Sequence, residues 1–144
     1  MKHNKIIILA LMGVVLFSGC SQQSSSNDII ISEKDKENIQ IEKQSYIYSN
    51  LNATGITSLV DITDQRVLVR FSEPDDTEKE KVYYLVFGLA ARASPVSTNI
   101  QIETYKNGKL LETVTVKMSY VLDLLNEKIT LDEFKNKIDT QTNN

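Results

Sequence analysis

Residues 74–95, Pro-Asp-Asp-Thr-Glu-Lys-Glu-Lys-Val-Tyr-Tyr-Leu-Val-Phe-Gly-Leu-Ala-Ala-Arg-Ala-Ser-Pro, carry the strongest periodic pattern in the chain, and their reading decides the fold class. Pro74, Asp75, Asp76 and Thr77, with Glu78 and Glu80 behind them, make a helix start whose acidic side chains meet the positive end of the helix dipole. Val82, Leu85, Val86, Leu89, Ala90 and Ala93 then fall at i, i+3, i+4, i+7, i+8 and i+11, which is one face of a helix. Pro95 ends it.

Beside that face runs a second apolar stripe, Tyr84, Phe87, Gly88 and Ala91, flanked by Tyr83. It widens the apolar arc beyond what one sheet face needs. Two burials are open to the surplus. The C-terminal helices can cover it, since Leu125, Leu131 and Phe134 need a partner too. Alternatively, Tyr83, Tyr84 and Phe87 form an exposed aromatic patch for a protein partner, where such side chains are favoured.

On the N-terminal side, residues 56–72 read as a hairpin. Ile56, Ser58, Val60 and Ile62 alternate on one strand, and Val67, Val69 and Phe71 on the next. A four-residue loop at Thr63 to Arg66 sets Ile62 against Val67, Val60 against Val69 and Ser58 against Phe71. Leu59 and Leu68 then point to the other side.

After Pro95 comes a second hairpin, with Ile100 and Ile102 before Asn107-Gly108 and Val114, Val116 and Met118 after it. A plain two-residue turn would mix the faces and set Glu103 directly across from Glu112, a like-charge pair that costs stability. A one-residue offset, most simply a bulge at Gly108, restores a common apolar face.

Further out, Ser32 with Asp35 signals a helix running to about Ala53 and stopping near Gly55; its apolar positions, Ile39, Ile47, Tyr48 and Leu51, are denser toward the back. At the other end Val121, Leu122, Leu124 and Leu125 turn helical, and Thr130 with Glu133 makes a capping box before Leu131, Phe134 and Ile138. The expected order is α-β-β-α-β-β-α-α. That is an α+β fold with helices on one face of a four-stranded, mainly antiparallel sheet of two hairpins, and a helical crossover from the second strand to the third. The strand-helix-hairpin portion looks like the small envelope modules known as BON and ring-building domains, in element order alone, and no functional residue carries over.

Cys20 is the only cysteine and ends an apolar run that follows the charged start Lys2 and Lys5. The twelve residues from Ile6 to Phe17 are too short to cross a bilayer but suit the central region of a secretory signal. Leu16-Phe17-Ser18-Gly19-Cys20 resembles the lipobox of prokaryotic lipoproteins, with Phe17 where leucine is usual. The resemblance implies removal of residues 1–19, lipid on Cys20, and a place on the extracytoplasmic side of the cell membrane. A diacylglyceryl-type anchor has the two chains that stable attachment requires. Residues 20–31 then form the anchor and a flexible tether, with Ser21 to Asn27 wholly polar. Ile29, Ile30 and Ile31 form a short strand or simply dock. Residues 32–139 make a single α+β domain, and 140–144 a disordered tail.

Loss of residues 1–19 leaves 125 of the 144 residues; the 16 basic side chains fall to 14 against 19 acidic, a formal charge of −5. A broad nucleic-acid surface is therefore not expected. His3, the only histidine, leaves with the signal, and the only thiol is blocked by lipid. That excludes Ser-His-Asp and Cys-His catalysis and zinc sites built on His or Cys, and no cofactor is implied. Asp61, Asp64, Asp75 and Asp76 lie near loops, but without the spacing of a cation-binding loop they read as caps and turns, so no metal is expected. Asn52-Ala53-Thr54 matches a glycosylation acceptor at Asn52, as chance tripeptides often do.

The expected function is a membrane-anchored exported lipoprotein whose small non-catalytic domain binds another envelope protein. The rivals are an extracytoplasmic small-ligand binder with a pocket between sheet and helices, and a hydrolase using two carboxylates across a cleft.

Overall fold

The structure, a computed structural model, describes residues 32–143. Cys20, the expected signal segment and tether, and Ile29 to Ile31 lie outside the described residues. Helix α1 (Glu33–Ala53) opens on a reciprocal capping box between Ser32 and Asp35. It closes where Gly55 takes φ +87°, a left-handed conformation that suits glycine. Only Ile47 and Leu51, in its back half, are buried. The front half touches the sheet through Gln40, whose Nε2 donates to the carbonyl of Ile62.

Strands β1 (Ser58–Ile62) and β2 (Arg66–Ser72) pair antiparallel in the register read from the sequence: Ile62 with Val67, Val60 with Val69, Ser58 with Phe71. Helix α2 (Asp76–Ala93) follows and buries Val82, Val86, Leu89 and Ala90 against the sheet. Then come β3 (Asn99–Lys106), β4 (Lys109–Lys117), α3 (Met118–Leu125), α4 (Leu131–Lys135) and β5 (Asp139–Thr142).

The sheet is not four-stranded and is not built from antiparallel pairs alone. It is a mixed five-stranded sheet in the order β1-β2-β3-β4-β5, with β2 and β3 parallel. The physical reason is the crossover: α2 carries the chain from the end of β2 back to the end where β2 began, so β3 must run the same way. The two apolar strands then lie side by side, with Val67 beside Ile100 and Val69 beside Ile102. Residues 140–142, expected in a loose tail, instead belong to β5 and pair with β4. All four β5 side chains are exposed and polar, so backbone hydrogen bonds hold the strand and no apolar period announces it.

The helices cover one face, as expected. Val67, Val69, Ile100, Ile102, Val114 and Val116 share a continuous core with Ile47, Val86, Val121 and Phe134. The second hairpin has the offset, but not at Gly108. Asn107 (φ 51°) and Gly108 (φ 77°) form a tight turn with Lys106 opposite Lys109. The bulge comes further along, where Tyr105 pairs with Leu110 and Thr104 with Glu112, leaving Leu111 extra. Ile100 then meets Val116, and Ile102 meets Val114.

Candidate functional site

The bulge decides where two glutamates go. Glu103 pairs with Thr113 and Glu112 with Thr104, so Glu112 lies on the helix-covered face of the sheet and Glu103 on the face opposite the described helices. Each builds a different polar cluster.

On the helix side, Glu112 sits beneath the first half of α2. Lys79 Nζ lies 2.8 Å from its carboxylate, and the Tyr83 hydroxyl donates to the same oxygen. Lys79 also lies over the Tyr83 ring, 5.9 Å from its centre. Burial, then the hydrogen bond to Glu112, pushes the Tyr83 phenol far above the ordinary tyrosine value.

Beside this cluster a cleft of about 360 Å³ opens between α2, β4, β5 and the segment around α4. Its apolar lining is Tyr83, Tyr84, Phe87, Val114 and Ile138. Lys135 lies 2.8 Å from Glu80 at the rim, and that hydrogen bond holds the Glu80 carboxyl below the usual carboxylate range. Burial, with the nearby Glu80 charge, raises the Tyr84 phenol.

The aromatic residues singled out in the sequence therefore meet, but not as a flat exposed patch. Phe87 is only 2% exposed, with Phe134 of α4 edge-on at 5.8 Å between ring centres. Tyr84 packs against both at 6.1 to 6.2 Å. The C-terminal helix thus takes up much of the surplus apolar arc. Tyr83 and Tyr84 stay half-buried, facing the cleft.

The face opposite the described helices holds a polar set that the sequence does not announce as a cluster. Glu103 accepts from Arg70 at 2.9 Å, Tyr105 at 2.8 Å and Gln101 at 3.0 Å, and Arg66 donates to Gln101 at 3.3 Å. Burial pushes the Glu103 carboxyl up, but the hydrogen bonds from Tyr105 and Arg70 outweigh it and hold the carboxyl below its ordinary value. The signal was the off-face positions of β2 and β3, all polar except Leu68, which is fully buried among them. These donors and acceptors satisfy one another.

Asn52 is exposed in the last turn of α1, with its carbonyl accepting from Gly55. Among the described residues no group of three or more His, Cys, Asp or Glu side chains is placed to hold a metal ion. Nor is any helix among them long and apolar enough to cross a membrane.

Comparison of the chain with protein families, with curated proteins and with solved structures finds no match.

Proposed function

We propose that this chain is an exported lipoprotein, held on the extracytoplasmic face of the membrane by lipid on Cys20, whose domain binds another envelope protein and performs no chemistry. The observation that carries the binding half is the cleft. It is open to solvent, and its apolar lining is aromatic and aliphatic. Of the charged side chains that line it, Lys79, Glu80 and Lys135 are neutralised in the pairs Lys79–Glu112 and Lys135–Glu80, which leaves Asp76 as the lining charge with no ion pair among the described residues. A surface of that kind gains from apolar burial while leaving few charges to desolvate, as the centre of a protein interface does. Tyr84 is the natural anchor, half-exposed and backed by Phe87 and Phe134.

Carboxylate catalysis draws no support from these groups. A general acid needs a raised pKa, whereas Glu80, Glu103 and Glu133 are all shifted down. A small apolar ligand is the second reading, favoured by the concave shape of the cleft and its few converging polar groups.

The test is a crosslinking pull-down from membranes comparing wild type with Tyr84→Glu. Loss of a recovered protein, with circular dichroism unchanged, supports the reading, and an unchanged recovery from a folded variant sinks it. Phe87→Glu is unsuitable, because a charge at that buried position would disturb the core. For the anchor, intact mass of wild type and Cys20→Ser should differ by loss of residues 1–19 and gain of lipid. A full-length, unmodified wild-type chain would refute that half.

A further inference from the structure

The cleft lies against a sheet edge whose outward backbone groups have no partner among the described residues. In the β4–β5 pair, Asn143 donates its N–H to the carbonyl of Leu111 at 2.7 Å, in line with the pairing of Gln141 with Thr113 and Asp139 with Thr115. Antiparallel pairing alternates, so the N–H and C=O groups of Thr140 and Thr142 point away from β4, toward the outside of the sheet. Their side chains point to the helix-covered face, where Thr140 lines the cleft together with Ile138. The common guards of an edge, a lysine, a proline or a covering element, differ at the two ends of the sheet. At β1 the outward carbonyl of Ile62 is already taken by Gln40 of α1. Along residues 139–143, Asp-Thr-Gln-Thr-Asn, there is neither lysine nor proline, and all four β5 side chains are exposed.

Building on the partner-binding reading above, we propose that β5 takes an extended peptide segment of the partner protein as a sixth strand, with apolar side chains at alternate positions filling the cleft. Backbone pairing with Thr140 and Thr142 supplies the binding energy that is independent of sequence. Every second side chain of the added strand lands on the helix side, near Tyr84, and supplies selectivity. A second copy of this chain fits less well. Pairing β5 with its own copy sets Thr140 against Thr142 and brings only threonines to a cleft lined by Tyr83, Tyr84, Phe87, Val114 and Ile138.

The test pans a phage-displayed library of random peptides against the full chain in detergent, and then measures binding of the enriched peptides made synthetically. The expected result is an apolar pattern with a period of two, slowed amide exchange at Thr140 and Thr142, and a loss of about tenfold or more in affinity on N-methylating alternate peptide amides. Thr142→Pro should weaken binding similarly. Its N–H makes no bond to β4, so retained protection of the Gln141 amide shows that the fold is intact.

Helical spacing in the enriched peptides, affinity indifferent to both changes, or no enrichment over the bare support overturns the proposal. So does protection of the Thr140 amide without peptide that vanishes with Thr142→Pro, the sign of self-association. If Thr142→Pro leaves membrane capture intact while Tyr84→Glu abolishes it, strand addition fails and the partner-binding function survives. If neither changes capture, the function fails with it.

Discussion

Glu103 and Glu112 bear the same charge on neighbouring strands, and one extra residue, Leu111, sends them to opposite sides of the sheet. The like-charge conflict was visible in the sequence and correctly forced an offset. Its location was not, because an Asn-Gly turn closes well with both residues at positive φ, leaving the irregularity to fall where side-chain partners are better. At Glu103 the consequence is a pH dependence. Its carboxyl titrates lower in the folded chain than in the unfolded one, so stability from this site is full above the ordinary value of about 4.3 and is lost as pH falls through the depressed folded value. Glu103→Gln should therefore lower the urea midpoint near neutrality and converge on wild type in acid; a deficit independent of pH would contradict this. Tyr83 runs the other way. Its phenol holds its proton longer when folded, so its contribution is intact below the ordinary value of about 10 and fades as pH rises beyond it. Alkaline titration followed by ultraviolet absorbance should show one tyrosine ionising last, and Tyr83→Phe should remove that step.

At the scale of elements, α4 is the shortest of the described helices and carries a large share of the packing beside the site. It is five residues long, yet Phe134 is fully buried and meets Phe87 and Tyr84 of α2. Its start rests on the Thr130–Glu133 capping box, with Thr130 N donating to Glu133 at 2.7 Å. Both were legible in advance, since Thr-x-x-Glu before spaced apolar residues places two side-chain acceptors where a helix start leaves backbone N–H groups open. Phe134→Ala is expected to cost about 3 to 5 kcal/mol by denaturant unfolding, as a buried aromatic does. Thr130→Ala should cost about 1 kcal/mol through the lost cap. Leu125→Ala, at a position 58% exposed, should stay within about 0.5 kcal/mol. A cost at Leu125 equal to that at Phe134 would mean that α3 and α4 pack otherwise. What the sequence left open was which burial the aromatic stripe of α2 takes. The answer is divided, Phe87 inward under α4 and Tyr83 and Tyr84 left at the cleft, because α4 is too short to cover the whole arc.

For the whole molecule, the last strand matters most. β5 closes the edge beside β4 and forms one wall of the cleft. Truncation after Ile138 should lower stability by about 1 to 3 kcal/mol, the worth of a few backbone hydrogen bonds. It should also raise light scattering as the β4 edge is uncovered. A truncated chain as stable and as monodisperse as wild type would show that β5 contributes nothing. By itself, the sequence determined the elements whose apolar spacing or capping chemistry is local: α1 and its Ser32 cap, the β1–β2 register, α2 and its stop at Pro95, the offset of the second hairpin, and the Thr130 cap. Those depend on neighbours a few residues away, which the chain itself displays. Only the tertiary structure decided that β2 and β3 lie parallel, that a polar segment becomes a fifth strand, and that Glu112, Lys79 and Tyr83 converge. Each of these rests on contacts between distant segments: β2 and β3 carry a readable apolar alternation, but which strand lies beside which is settled by backbone pairing across the crossover, while β5 and the Glu112, Lys79 and Tyr83 cluster are polar and leave no hydrophobic period to read.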